Sequence, residues 1–383
     1  MSKELVITNV EYRNKTYAVC CLFEEKNAVE MRIHQLENHS LLGNIYVGKI
    51  EKYVKNIGAS FVRIGKDLPE CYLEMKQLPN QGGNVVVQVS KDAVKLKAPC
   101  VSTNLNFQGK YLVLTTENTV LGISSKIDPD TKEVLKKWLH PLMDGSFGAV
   151  VRTNAQYAEK SAILEEFEYL KKRLNRVMEQ GPHRTAYTCL EEAQPFYIEA
   201  IRDVYSDDLV QIRTDIPEYY DKMKEYLTDY QKADLEKLSL HTDKLITLKS
   251  LFNMTFVMEE CLREKVWLPS GGFLIIQQTE AFTCIDVNTG KYVGKKKEQE
   301  TYRMTNLEAA AEIARQMRLR NLSGIILIDF INLTREEHQD ELMHVLAKHC
   351  RKDPIKTKVI DMTALHIVEV TRQRTRKPIY EEL

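Results

Sequence analysis

At 383 residues the chain is too long for one ordinary hydrophobic core, and about two to four subdomains are expected. Its 43% hydrophobic and 28% charged side chains are those of a water-soluble globular protein, and no run of about eighteen apolar residues exists to span a bilayer. The 54 basic and 54 acidic side chains cancel, which excludes a uniformly basic polyanion binder and leaves only local charge to suggest such a partner. Local charge does so: Lys291–Arg320 holds eight basic residues against four acidic, and Val345–Lys377 nine against three. The opening Met1-Ser-Lys-Glu-Leu-Val6 has no signal-peptide apolar stretch, so a cytoplasmic location is expected. Eight scattered cysteines without a Cys-x-x-Cys pair read as reduced structural thiols.

Short strands at Leu5–Thr8, Tyr17–Phe23 and Val29–Ile33, separated by polar turns such as Arg13-Asn14-Lys15, predict an antiparallel sheet. From Gly43 to Gly65 the strands alternate apolar and polar residues and are punctuated by Gly48 and Gly58; Phe61, Tyr72 and later Lys97 are candidate surface groups. This pattern resembles the OB-fold RNA-binding module, in which aromatic rings stack bases and basic residues track phosphates. On periodicity alone Phe61 fits a core better than a platform. The module reads as interrupted or extended between Gln77 and Gly83, resumes at Asn84 and closes near Phe107.

Tyr111–Thr115 and Val120–Ile127 read as strands and Asp130–Leu139 as a short helix. Arg152 and Thr153 then fall side by side at a strand end, one a charged and one a neutral donor suited to a phosphate. An Arg–Thr pair closing a turn is the blander reading, and local pattern favours it. A long amphipathic helix from about Ala155 to Gln180 carries the stripe Ile163, Phe167, Leu170, Leu174 and Val177, and Gly181 ends it. Asp208–Arg213 is a strand candidate, and Pro217 opens a Tyr-rich helix at its favoured first position.

Beyond Trp267, Phe273–Gln277 and Phe282–Asp286 predict a hairpin. Thr305-x-x-Glu308 is a capping box expected to open a helix to about Asn321, leaving Arg315, Arg318 and Arg320 partly outward. The unbroken apolar run Ile325–Ile331 predicts a strand buried on both faces. Thr334-x-x-Glu337 is a second box, opening a helix to about Lys352.

Asp286, Asn288 and Asp329 are the strongest chemical candidates. Each aspartate ends an apolar run, where a buried carboxylate would need a partner. Asp286 and Asn288 are two apart, hence on one strand face, and Asp329 follows 43 positions after Asp286, room for a crossover helix returning a neighbouring strand. Two carboxylates and a carboxamide oxygen form a hard-oxygen set suited to Mg²⁺, with Mn²⁺ as an alternative. Such an ion can activate a water and neutralise charge on a phosphodiester. Spacing alone leaves equal standing to aspartates that cap the following loops. His338, His344 and His349 do not share a helix face, and no Gly-rich phosphate loop or nucleophile elbow is present.

Leu268-Pro-Ser-Gly-Gly272, Thr279-Glu-Ala281, Ile285-Asp-Val-Asn-Thr-Gly290, Asn306-Leu-Glu-Ala-Ala-Ala-Glu-Ile-Ala-Arg315 and Ile328-Asp-Phe-Ile331, in this order, resemble the catalytic core of the bacterial ribonuclease E/G family. A weaker likeness extends over nearly the whole chain. The resemblance implies a metal-dependent endoribonuclease that cuts single-stranded RNA to 5′-phosphate and 3′-hydroxyl ends in RNA processing and decay. It assigns Asp286 and Asp329 to the metal and Asn288 to their support. Arg152, Thr153, Gly122 and Lys356 fall to a pocket for a 5′-monophosphate, and Phe61, Tyr72 and Lys97 to RNA contacts.

The α/β multidomain architecture it implies is a ribonuclease-H-like subdomain (1–39 and 198–262) split around an OB-fold (40–108) and a 5′-sensor subdomain (109–197), followed by a deoxyribonuclease-I-like catalytic subdomain (263–383). Departures are also visible. The family's zinc-sharing cysteine pair is missing, the last cysteine being Cys350, so no structural zinc is expected and the oligomeric state stays open. Ser125-Lys126 stands where relatives often show two arginines, and Asn332 where a third aspartate is frequent. The competing class is a non-catalytic RNA-binding protein that keeps the fold.

Overall fold

The computed structural model of the protein describes residues 2–37, 40–74, 83–93, 98–204, 208–290 and 298–383. The chain divides into two compact units, one of Met1–Glu37 with Asp208–Leu383 and the other Asn38–Asp207.

In the first unit, strands Lys3–Tyr12, Lys15–Glu24 and Asn27–Gln35 form an antiparallel meander, extended in parallel by Leu209–Thr214 and Leu238–Leu240. These strands are longer than predicted because the turns between them need only two residues each. Arg13 and Asn14 (φ 50° and 61°) and Glu25 and Lys26 (φ 48° and 76°) take the left-handed backbone that matches the twist of a tight hairpin. Cys20 and Cys21 point to opposite faces and are both buried, and none of the eight cysteines is in a disulfide.

The same unit holds a six-stranded sheet in the order Lys265–Trp267, Phe273–Gln278, Phe282–Asn288, Gly324–Asp329, Ile367–Arg372, Thr357–Met362. Phe282–Asn288 and Gly324–Asp329 run parallel, joined through the helix Glu298–Leu319. One sheet face is apolar (Leu274, Ile276, Ile285, Val287, Ile326, Ile328, Val368, Val370) and packs on Ala310, Ile313 and Met317 of that helix and on Leu342 and Leu346 of the helix Glu336–Cys350. The other face carries exposed side chains, among them Trp267 and Ile325.

Four local expectations are corrected. The crossover helix begins at Glu298, not at Thr305, because the strongly helix-forming Glu298-Gln-Glu300 adds its acidic side chains to the first turn. Thr305 is therefore a buried mid-helix residue and caps nothing. The next helix starts at Glu336 without a side-chain cap; Thr334 instead donates its hydroxyl to Gln299 Oε1 at 3.1 Å. Arg318 and Arg320 are buried rather than outward, Arg320 donating to the Arg263 carbonyl at 2.7 Å. Ile325–Ile331 is a strand only over Gly324–Asp329, and it alternates: Ile325 is 51% exposed while Ile326 and Ile328 are fully covered.

In the second unit, Ile45–Val54, Ala59–Arg63, Cys71–Glu74, Cys100–Ser102 and Asn84–Lys91 pair in succession, and Asn84–Lys91 pairs back on Ile45–Val54. The result is a closed five-stranded, OB-like barrel around Ile50, Val62, Leu73, Val87 and Val101. A Cβ at Gly48 would meet Val62 Cγ1 at 2.4 Å, so the closure needs glycine there. The expected interruption between Gln77 and Gly83 lies almost wholly outside the described residues. A second sheet, ordered Leu121–Ile123, Gly148–Val151, Leu112–Thr115, Asn106–Gln108, shares a core with Ile163, Phe167, Leu170, Leu174 and Val177 of the helix Lys160–Gln180. That helix starts later than predicted, since Thr153–Tyr157 forms a short 3-10 turn.

Candidate functional site

Asp286 and Asp329 are direct neighbours in the parallel ladder between Phe282–Asn288 and Gly324–Asp329. Register partners share a face, and adjacent strands lie about 4.8 Å apart, so the two carboxylates stand beside each other. Both are exposed, and the expectation that each is buried at its strand end is corrected. The apolar alternation turns Ile285, Val287 and Ile328 toward the helices and leaves the aspartates on the open face. Asn288, two residues along on that face, donates Nδ2–H to Asp286 Oδ2 at 2.7 Å. Among the described residues, no lysine or arginine pairs with either carboxylate, and no group of three or more His, Cys, Asp or Glu could hold a metal.

The strand end is held by close backbone approach. Gly290 has φ 64°, and a Cβ there would lie 2.3 Å from the Gly271 carbonyl oxygen; one at Gly272 would lie 2.8 Å from the Asn288 carbonyl oxygen. Larger residues would push the Pro269–Gly272 turn off the end of the Asp286–Asn288 strand, which gives both glycine-bearing motifs a local reason.

Two oxygens from adjacent strands and an amide that fixes one of them make an all-oxygen donor set of net charge −2. That set fits a hard divalent cation that keeps most of its waters, and it does not fit zinc, which favours nitrogen and sulfur ligands.

Arg152 and Thr153 belong to the second unit and sit where Gly148–Val151 ends. Arg152 donates Nη1–H to the Gly109 carbonyl at 2.6 Å and Nη2–H to Asp203 Oδ1 at 2.8 Å. The Thr153 hydroxyl lies 2.9 Å from that of Ser124. Gly122 is half-buried in the neighbouring parallel strand, opposite Val150. Lys356 lies in the first unit, exposed, just before Thr357–Met362.

Glu166, on the helix Lys160–Gln180, holds the loop that Arg152 binds. It accepts backbone N–H bonds from Lys110, Tyr111 and Leu112 at 2.7, 2.7 and 2.8 Å, fixing the loop whose Gly109 carbonyl receives Arg152. A Cβ on Gly109 would come within 2.4 Å of that carboxylate. Burial pushes the Glu166 carboxyl above its ordinary value, against the pull of the three N–H groups and the Arg152 charge.

Phe61 and Tyr72 are cross-strand partners on the barrel, half-buried, their rings edge to face at 6.4 Å. Their strand neighbours Val62 and Leu73 fill the barrel, so the core reading of Phe61 is replaced by a place on the outer face. Lys97 lies outside the described residues. Sequence reasoning missed Glu166, Asp203, Gly109 and Ser124. Only Glu166 left a signal, a carboxylate on the stripe of its helix between Ile163 and Leu170.

With these placements in hand, the sequence comparisons agree on one class of protein. The pattern of the ribonuclease E/G family matches residues 106–375, and the chain belongs to that family. It is 33% identical to Ribonuclease G of Escherichia coli (strain K12) over 374 residues, covering 91% of this chain and 76% of that protein. Identity to Ribonuclease E of Synechocystis sp. is 31% over 361 residues, 89% of this chain and 53% of that protein. Against Ribonuclease E of Nostoc sp. it is 29% over 402 residues, all of this chain and 57% of that protein. The chain thus spans little more than half of the ribonuclease E relatives. Arg152, Thr153, Asp286, Asn288 and Asp329 all fall inside the family match, whereas Phe61 and Tyr72 precede it. Among the described residues no helix is long and apolar enough to cross a membrane.

Proposed function

We propose that the chain is a Mg²⁺-dependent endoribonuclease that cuts single-stranded RNA to 5′-phosphate and 3′-hydroxyl ends in RNA processing and decay. The observation that carries this reading is the in-register pair Asp286 and Asp329, inside the family match and without a protein cation among the described residues. Asp286 and Asp329 would hold the ion, with Mn²⁺ as a substitute. When bound, it supplies activation of an attacking water and neutralisation of the phosphodiester's growing charge. Asn288 fixes the Asp286 rotamer by taking one carboxylate oxygen and leaving the other free to coordinate. The water oxygen bonds to phosphorus as the bond to the 3′ oxygen breaks, leaving the phosphate on the downstream fragment.

Phe61 and Tyr72 present their rings to the RNA from the outer face of the OB-like barrel. The subdomains are those of the family: a split ribonuclease-H-like part, the OB-fold, a 5′-sensor and a deoxyribonuclease-I-like catalytic part. Arg152, Thr153 and Gly122, all in the second unit, form the proposed pocket for a 5′-monophosphate. There a phosphate must displace Asp203 from Arg152, which gives the preference for phosphorylated ends its cost.

The deciding experiment offers end-labelled single-stranded RNA and DNA of one sequence, with Mg²⁺ and with EDTA. Cleavage of the RNA alone, abolished by EDTA and leaving 5′-phosphate ends, is the expected result. Binding of RNA without cleavage would replace the enzyme by a binding protein, and equal cleavage of DNA would remove the RNA-specific reading.

A further inference from the structure

We infer that Trp267, Phe273 and Lys265 form a nucleobase-stacking subsite on the open sheet face beside Asp286 and Asn288, receiving a base from a nucleotide close to the scissile phosphate. The inference rests on the endoribonuclease reading and adds a second binding element to the same face.

The register fixes the arrangement. Trp267 pairs with Phe273 and Phe273 with Asn288, so the three side chains form one cross-strand row. The adjacent row runs Lys265, Ile275, Asp286, Asp329. Cross-strand partners point to the same side, and the residues between them (Val266, Leu274, Val287) are buried on the helix side, which places both rows on the open face. Two strand spacings, about 10 Å, separate Trp267 from Asn288, the reach of about one to two nucleotides.

The rings themselves are prepared for a planar ligand. Trp267 is 63% exposed even with Phe273 and Lys265 against it, which leaves much of its ring open to solvent. It meets Phe273 edge to face, centroids 5.4 Å apart at 64°, forming a corner with one wall and one floor. Lys265 Nζ lies 4.0 Å from the Trp267 ring centre and 3.7 Å from that of Phe273, and among the described residues it has no carboxylate partner. Cation–π attraction at an exposed site is weak beside a charge-assisted bond to phosphate. An arriving phosphate therefore draws the ammonium off the rings and uncovers them for its own base. The same lysine argues against a protein partner, because lysine is depleted where protein interfaces bury aromatic residues.

The test separates this subsite from the activity it rests on. In a Trp138→Phe background Trp267 is the sole tryptophan, since the chain has two. Its fluorescence is followed on titration with a non-cleavable 2′-O-methyl RNA oligomer in EDTA, and cleavage is measured separately with Mg²⁺. Expected are quenching on binding, and for Trp267→Ala a KM raised roughly tenfold or more at a kcat within about twofold of the parent's. Trp267→Phe restores most of the loss. An RNA lacking one base near the cut site reproduces it, and the two losses do not add.

Cleavage by the parent with no quenching and an unchanged KM for Trp267→Ala overturns the subsite and leaves the activity standing. Quenching with no cleavage retains the subsite and removes the activity. A change of oligomeric state in Trp267→Ala, with RNA affinity unmoved, also overturns the inference and assigns the face to a second protein chain.

Discussion

Asp286 and Asp329 stand side by side with an amide as their only described polar partner, whereas Arg152 is already neutralised by Asp203 and anchored on a carbonyl. The first site has an excess of charge that its own side chains do not balance. The second has a charge whose balance is built in. On the proposed reading, this contrast corresponds to two different uses. A site for a resident ion leaves its ligands unbalanced and open to water, which carboxylates at a strand end tolerate and a buried pair would not. A site that reads a ligand now and then keeps an internal counter-ion, so that its guanidinium is held in place and discriminates by exchange.

The sharpest way to break this contrast is to remove one carboxylate. Asp329→Asn keeps size and one acceptor oxygen but halves the charge offered to the ion, and cleavage in saturating Mg²⁺ is expected to fall about a thousandfold, several kcal/mol at 1.4 kcal/mol per factor of ten. A full rate in that variant would sink the metal assignment.

Glu166→Ala attacks the other site through its frame. It strands the N–H groups of Lys110, Tyr111 and Leu112, and a loss of about 3 kcal/mol in urea unfolding is expected. The pH dependence has a definite sign. Because the folded carboxyl titrates above the unfolded one, whatever stability it contributes is complete below about 4.5 and is lost as pH rises through its folded value. Relative to Glu166→Gln, the parent should lose ground with rising pH from that point. A parent that gains on Glu166→Gln as pH rises would mean that the three N–H bonds outweigh burial.

The two sites were not equally legible in the sequence. Asp286, Asn288 and Asp329 could be found because each is tied to a strand by its apolar run, and a spacing of two or a crossover places side chains without knowledge of the rest. Their exposure was not legible: the run Ile325–Ile331 says that one face is covered but cannot say whether the other is. The Arg152 pocket was legible only at Arg152 and Thr153. Asp203 and Gly109 come from 51 and 43 residues away, and no periodicity links a helix end and a loop to a strand end. The helix starts failed for a related reason. Thr305 and Thr334 match a capping pattern, but Glu298–Glu300 propagates the first helix past one, and Gln299 takes up the hydroxyl of the other.

Exchange at Arg152 makes two smaller predictions of opposite direction. Arg152→Ala should erase the preference for 5′-monophosphorylated over 5′-hydroxyl RNA, leaving equal rates on both. Asp203→Asn removes the internal competitor and should enlarge that preference about threefold to tenfold, the worth of a partly exposed ion pair. Should Asp203→Asn instead abolish the preference, Asp203 would be a scaffold for Arg152 rather than its competitor, since it also pairs with Arg202.

The smallest effect tests the imbalance at the carboxylates directly, with no RNA present. Like charges on neighbouring strands repel, at a cost of about 0.2–1 kcal/mol where water screens them. Asp286→Asn in EDTA should therefore be slightly more stable than the parent, and the gain should shrink as salt is raised. With Mg²⁺ the order should reverse, because the ion stabilises only the protein that can bind it. The two melting series, with and without the ion, cross if the pair is an ion site. Parallel series would mean that the aspartates merely cap the loops that follow them, the reading that spacing alone left open.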